Sequence, residues 1–258
     1  MDSKIQYISS ITKGFDVLRL FNEGETELGI REISTMLAMN KTTVYRIVKT
    51  LELNGMLIQN PINSKYSPGF SILEMAHKMF KNYDDKKLLS PFMKDLQNEF
   101  NEDVVLSVLN GTNAVCIDRL ESNNGLVISA HVGRILPIVA GATGKVFLPY
   151  IPKDTLDIIL KNSRDSNSKQ VTSKTSLEKD IEKIVTSGYI TSEEEIDTGV
   201  FAIAVPVFDD KGDAKYSLGI CGSVERIKLK GIDTIANRLL EVKDEISKRL
   251  GYLSMVKR

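Results

Sequence analysis

Apolar residues recur along the first third of the chain with the period of a helix. Ile11, Phe15, Leu18 and Phe21 fall three or four apart and predict an amphipathic helix, ended by Gly24 and the acidic run EGETE. A second helix starts in GIREISTML, where Ile30, Ile33 and Leu37 share a face. After a break at AMN, the stretch MNKTTVYRIVKTLELNGML (Met39 to Leu57) carries a third. Val44, Ile47, Val48 and Leu51 form its apolar stripe, Asn40 or Thr42 caps its start, and Gly55 stops it. A hairpin follows, with Met56 to Gln59 and Lys65 to Ser67 as strands and NPINS as turn chemistry. GFSILEMAHKMF resumes the helical period, with Ile72, Met75, Ala76 and Met79 on one side.

The remainder reads as α+β. SPFMKDLQNEF predicts a helix with Pro91 in its first turn. DVVLSVLNGTNAVCIDRLES predicts two strands across a Gly-containing turn, and GLVISAHVG a third strand. GATGKVFLPYI and PKDTLDIIL read as helical, and NSRDSNSKQVTS as a loop. SLEKDIEKIVTSGY is a helix stopped by Gly188. FAIAVPVFDDKGDAKYSLGICGSV is a hairpin turning at DDKGD, and IANRLLEVKDEISKRLGYL a long closing helix.

Composition narrows the class. The 258 residues suit two domains, and 42% apolar residues suffice for a core. The polar segment KNYDDKK places the boundary around Asn82 to Lys87. Thirty-four Lys and Arg balance 34 Asp and Glu, so a uniformly basic nucleic-acid coat is excluded, while a local basic patch is not. The two cysteines lack CxxC spacing, which points to a reducing cytoplasm rather than a disulfide framework. MDSKIQYISS has no apolar run after its charges and does not read as a signal peptide, and no stretch has the apolar length of a membrane span.

Two helices joined by a tight turn, then a hairpin, describe a winged helix-turn-helix, whose second helix enters the major groove. The stripe of the third helix supplies an apolar back. Its other side offers Lys41, Thr42, Thr43, Tyr45, Arg46 and Lys49, with no carboxylate between Lys41 and Lys49. Arg46 can fork onto guanine or meet phosphate, and Thr42 or Thr43 can bond phosphate or touch a thymine methyl. Lys41 suits phosphate. Lys65 on the hairpin could reach a phosphate or the minor groove, and Arg31 on the preceding helix completes the DNA-binding set.

At these residues the chain resembles the IclR family of bacterial transcription regulators. SSITKGFDVLRLF, IREISTMLAMNKTTVYRIVKTLELNGML and SPGFSILEMA carry the resemblance in the first part. GRILPIVAGATGKVFL and SGYITSEEEIDTGVFAIAVPVFDDKGDAKYSLGICGSVERI carry it in the second. The resemblance implies a winged helix-turn-helix over residues 1–68, a linker helix over 69–87 and a GAF-like effector-binding and oligomerisation domain over 88–258. It implies operator DNA as partner, a small organic acid as effector, and a homodimer or dimer of dimers. It transfers DNA reading to Thr42, Thr43, Tyr45 and Arg46. It transfers an effector pocket to the small-residue loop Ala140, Gly141, Ala142 and Thr143, to Ser192 in the acidic turn SEEEID, and to Ala202, Gly219 and Cys221 of the last hairpin. Ala202 and Gly219 stand where some members carry polar side chains, which points to a larger or less polar ligand.

Other chemistry is thin. GATGKV is no Walker loop, because Val139 replaces its first Gly and Val146 its Ser or Thr. Gly141, Ala142 and Gly144 let backbone N–H groups approach a carboxylate, or simply permit a tight turn. Arg134 pairs with a carboxylate ligand or with Glu195. Cys116 reads as a buried structural thiol, and Cys221 lies nearer the proposed pocket. His77 and His131 lack the ligand spacing of a zinc site, no GxSxG elbow occurs, and no cofactor is expected. Two alternatives to a ligand-controlled regulator are an enzyme on the GAF-like domain and an interaction module with a degenerate helix-turn-helix. The first lacks a nucleophile or acid–base pair. The second predicts salt-insensitive binding.

Overall fold

The computed structural model describes residues 7–22, 26–81, 85–125, 128–162 and 173–252. The chain divides into two compact units, Met1–Asp84 and Asp85–Arg258.

The first unit holds α1 (Ser9–Arg19), α2 (Ile30–Met36), α3 (Lys41–Leu53), a hairpin of β1 (Leu57–Gln59) and β2 (Tyr66–Pro68), and α4 (Phe70–Lys81). Asn40 is the cap of α3: its side-chain oxygen accepts the Thr42 N–H at 2.9 Å. The α2–α3 turn is tied by the Ser34 hydroxyl, which donates to the Met39 carbonyl at 2.6 Å. Val44 and Val48 bury the back of α3 against Val17, Leu28, Ile33, Leu57 and Tyr66. Leu28 exchanges two backbone hydrogen bonds with Tyr66 and adds a one-residue bridge to the edge of the hairpin. Two expected stripes differ from the fold. In α1 the buried residue is Val17, while Ile11 and Phe15 are each 55% exposed. In α4, Ile72, Met75 and Met79 are exposed. The helical period is present in both, but of the first stripe only Leu18 and Phe21 pack against the unit's core, and in α4 the stripe is largely exposed. The expected stop at Gly24 lies outside the described residues.

The second unit is one antiparallel sheet with helices on both faces. Its strands are β3 (Asp103–Asn110), β4 (Asn113–Leu120), β5 (Ile135–Pro137), β6 (Ile190–Glu193), β7 (Val200–Phe208) and β8 (Ala214–Ser223), in the order β5-β4-β3-β8-β7-β6. The long helices α5 (Lys86–Phe100) and α10 (Ile232–Arg249) pack together and on β3 and β7. On the opposite face lie α6 (Ala142–Lys145), α7 (Lys153–Asn162) and α8 (Lys174–Ser187), and α9 (Val224–Lys230) follows β8. The pairs Val105↔Gly219, Gly219↔Ala204 and Cys221↔Ala202 set one row of small and apolar residues. That row belongs to the core formed with Ile138, Ala142, Phe147, Leu177 and Ile184. β7 is buried along its whole length, which explains its unbroken apolar run.

Four local expectations change. Pro91 lies inside α5, because the helix begins earlier, at Lys86. Pro91 and Lys87 are both exposed, so the carbonyl the ring leaves unpaired can bond water. No strand forms among the described residues of 125–133, and the edge strand is β5 instead. Ser129 gives its N–H to Asp197, and its carbonyl contacts the His131 imidazole, so neither serves a ladder. In GATGKVFLPYI only Ala142–Lys145 is α-helical, followed by a 3-10 turn at Leu148–Tyr150. Ser192 belongs to β6 rather than to the acidic turn that follows it.

Candidate DNA-reading face and effector pocket

The front of α3 is open. Lys41, Thr42, Tyr45 and Arg46 are exposed, and Thr43 and Lys49 are half-buried. Their order follows from the stripe: once Val44 and Val48 face the core, Tyr45 and Arg46 between them point outward. Arg31, Lys41 and Arg46 carry no ion pair among the described residues. Lys49 differs, because Glu52 sits 2.6 Å away on the same helix and holds its ammonium above the ordinary lysine value. Lys65 is half-buried and bonded to Glu32 at 2.9 Å. The other oxygen of Glu32 accepts the Gly29 N–H at 2.6 Å, and both contacts keep that carboxyl below its ordinary range. Glu27 accepts from Asn60 at 2.9 Å and Asn63 at 2.7 Å, which anchors the wing turn. Beside the front, a groove of about 730 Å³ runs between α1 and α3, and Arg46, Thr43 and Ile47 share it with Lys13, Ile11 and Phe15.

In the second unit the loop 140–143 and the sheet enclose a small cavity of about 40 Å³. Gly141, Ala142, Thr143, Ser192, Ala202 and Cys221 line it, together with Ile128, Ser129, Leu136, Glu195, Ile196, Asp197 and Val200. The remaining expected pocket residues stand apart from its lining. Ala140 is buried in the loop, Arg134 is half-buried ahead of β5, and Gly219 lies behind Thr143. A Cβ on Gly219 would come within 2.8 Å of the Thr143 methyl and 3.1 Å of the Ile203 carbonyl, so only glycine lets the loop approach the sheet. Gly141 takes a φ of 71°, a left-handed conformation that favours glycine.

The donors around this cavity are already engaged. The Gly141 N–H donates to Glu195 Oε2 at 3.0 Å, and the Ala142 N–H to Ser192 Oγ at 2.9 Å. Lys145 Nζ, with its side chain 3% exposed, lies 2.5 Å from Glu195 Oε1 and 2.9 Å from Asp180 Oδ2. Ser129 donates to Asp197 Oδ2 through its N–H at 2.9 Å and its hydroxyl at 3.0 Å. Because α6 has only four residues, these individual donors, not a helix dipole, make the loop receptive to anions. Sequence reading missed Lys145, Asp180 and Ser129, and it offered a carboxylate of SEEEID as pocket lining without singling out Glu195 or Asp197. The acidic turn and the Gly-Lys pair are their only sequence signal, and nothing local says that the two meet.

The cysteines are free and buried. Burial pushes the Cys116 thiol up to about 11 and the Cys221 thiol up to about 12. Both are neutral near pH 7 and poor nucleophiles, so Cys221 contributes an apolar wall to the cavity.

Comparison with known proteins bears on both halves. The family described as "Bacterial transcriptional regulator IclR C-terminal" matches residues 77–248, and "IclR helix-turn-helix domain" matches residues 10–61. The HTH-type transcriptional regulator XynR of Escherichia coli is 28% identical over 95% of this chain and 98% of its own length. The regulator KdgR of the same organism is 29% identical over 98% of this chain and 96% of its own. Among solved structures, an IclR homologue of Microbacterium hydrocarbonoxydans complexed with 4-hydroxybenzoate superposes with a TM-score of 0.80, at 20% identity over 94% of this chain and 99% of that one.

Proposed function

The chain belongs to the IclR family of bacterial transcriptional regulators, and on that premise we propose that α3 reads operator DNA under the control of a small carboxylate bound beside β6, β7 and β8. The relatives it matches are regulators, not enzymes. One observation carries the DNA reading: α3 buries Val44 and Val48 of its apolar back while its front presents Arg46 without an ion pair among the described residues. Arg46 is the base reader in this proposal, Thr42, Thr43 and Tyr45 stand beside it, and Arg31 and Lys41 meet phosphate. Lys49 and Lys65 join once they leave Glu52 and Glu32.

The carboxylate effector is supported by chemistry the cavity already displays. Gly141 N–H and Lys145 Nζ together hold one carboxylate, that of Glu195. The 4-hydroxybenzoate held by the Microbacterium homologue is also a small organic acid. Self-association is supported by the exposed apolar residues of α1 and α4, Ile11, Phe15, Leu73 and Met75 among them. A homodimer or dimer of dimers acting on DNA in the cytoplasm would set two copies of α3 on half-sites of a pseudo-palindrome.

Fluorescence anisotropy tests the reading on the DNA upstream of the protein's own coding region, with scrambled DNA as control, at two salt concentrations. Binding that prefers the upstream DNA, weakens with salt and is lost in Arg46→Ala is the expected result. Where that DNA shows no preference, a selection from genomic fragments decides. Equal binding of all fragments, insensitive to salt, overturns the proposal.

A further inference from the structure

We propose that Glu195 is an internal competitor for the effector site, an autoinhibitory contact that a carboxylate effector must displace. The inference rests on the carboxylate-effector reading and adds how that site is kept closed.

Three observations carry it. First, the cavity is too small for an organic acid. About 40 Å³ holds little more than a water molecule or two, whereas ligand pockets run from about 300 Å³ upward. Binding therefore requires a wall to move. Second, one wall is the turn between β6 and β7. Glu195, Ile196 and Asp197 all come from it and all line the cavity. Ile196 lies against Gly141, where even an added Cβ would meet it at 3.1 Å. Third, the turn is fastened through the donors an incoming carboxylate would use. Glu195 spans the Gly141 N–H and the buried Lys145 ammonium, one oxygen on each.

An organic acid that takes this place makes the same two contacts, so the exchange is neutral in charge and leaves no buried donor unpaired. Lys145 keeps Asp180 throughout. The displaced Glu195 is already 27% exposed and can turn into water. Asp197 on Ser129 then remains as the tie that the turn swings on. A neutral ligand cannot make the exchange, since it would leave Lys145 with less counter-charge than before. The effector's apparent affinity is thus set by its advantage over a tethered rival, and occupancy is coupled to opening of residues 194–199.

The test removes the rival and supplies it in solution. Propionate is the end of a glutamate side chain, and propionamide is its neutral match. Both are titrated into full-length wild type, Glu195→Ala and Glu195→Gln, with the melting temperature and calorimetric binding as readouts. The expected result is saturable propionate binding to Glu195→Ala, at least ten-fold tighter than to wild type, with a rise in melting temperature that propionamide does not produce. Glu195→Gln keeps the shape but not the charge, so it covers the case in which the alanine variant does not fold, and it should show the same preference for acid over amide. Equal propionate affinity in wild type and variants overturns the competitor while leaving a carboxylate effector standing. No binding of propionate to either variant, one with Gly141 and Lys145 vacated and one with their anionic partner neutralised, overturns both.

Discussion

Arg46 and Lys145 mark the difference between the two units. Arg46 is exposed on α3 and has no ion pair among the described residues. Lys145 is buried at the end of α6 and touches two carboxylates. The contrast extends around each. In the second unit Asp103 and Glu102 have side chains 1% exposed and bonded to Arg119, Arg226 and Lys230. Among the described residues of the first unit the buried core is apolar apart from the Tyr66 hydroxyl, and the cations are exposed or half-buried. Exposed unpaired charge waits for an outside partner. Buried paired charge holds the fold, and can respond only when something takes a partner's place.

The sharpest way to break this contrast is to remove Arg119. It grips Asp103 through Nε at 2.9 Å and a second nitrogen at 2.6 Å, and donates to the Ala130 carbonyl at 2.8 Å. Among the described residues, Arg119→Ala leaves the buried Asp103 carboxylate with the Ser122 N–H alone, and should cost about 3–5 kcal/mol of stability in denaturant titration. A loss below about 1 kcal/mol would mean that Asp103 finds water, and that the second unit tolerates unpaired charge as the first does.

Acid should expose the same dependence. Burial alone would raise the Glu102 carboxyl, but Arg226 and Lys230 outweigh it and hold it below its ordinary value of 4.5. A lowered native value favours the ionised form, so its contribution is full at neutral pH and is lost as pH falls below the ordinary value and through the native one. Glu102→Gln should cost about 2 kcal/mol at pH 7. The gap between variant and wild type should close in acid melts. A gap that stays constant from pH 7 to pH 3 would remove Glu102 from the account.

Arg46 supplies the opposite arm. Arg46→Ala should leave stability within about 0.5 kcal/mol of wild type, because it breaks no side-chain hydrogen bond or ion pair among the described residues. Operator binding should weaken by about 1–3 kcal/mol, with relaxed preference at one base pair if Arg46 reads a base. A uniform loss across sequences would assign it to phosphate. A large stability loss would give Arg46 a packing role in the groove it shares with Ile11 and Phe15.

The units also differ in how much of them is legible in sequence. α3 could be placed to within a residue or two, because its stripe, its Asn40 cap and its Gly55 stop are all local signals. What failed in that unit was burial. Ile11 and Phe15 have the right period, yet period alone does not say which core a stripe faces, and Val17 took the place inside. In the second unit the strands of the last hairpin were equally plain, since β7 is apolar throughout. The cavity was not. Its decisive contact joins Lys145 to Glu195, 50 residues apart, and both sit in segments that read as an ordinary helix start and an ordinary acidic turn. Ser129 misled for the same reason, because Asp197, 68 residues away, takes the N–H that a strand would use.

The smallest effect separates two lysines within the first unit. Lys41 has no ion pair among the described residues, whereas Lys65 is held by Glu32. A cation that neutralises one phosphate contributes about 0.9 to the slope of log affinity against log salt. Lys41→Ala should lower the slope by about that amount, and weaken binding equally on all sequences. Lys65 must first give up Glu32, so exchanging one carboxylate partner for one phosphate gains little. Lys65→Ala should therefore shift the slope by well under half as much. Equal shifts would mean that the wing lysine leaves Glu32 freely in the complex, and that an internal ion pair in this unit is no obstacle to DNA. Then the distinction between free and paired cations would hold only where the pair is buried, as it is at Lys145.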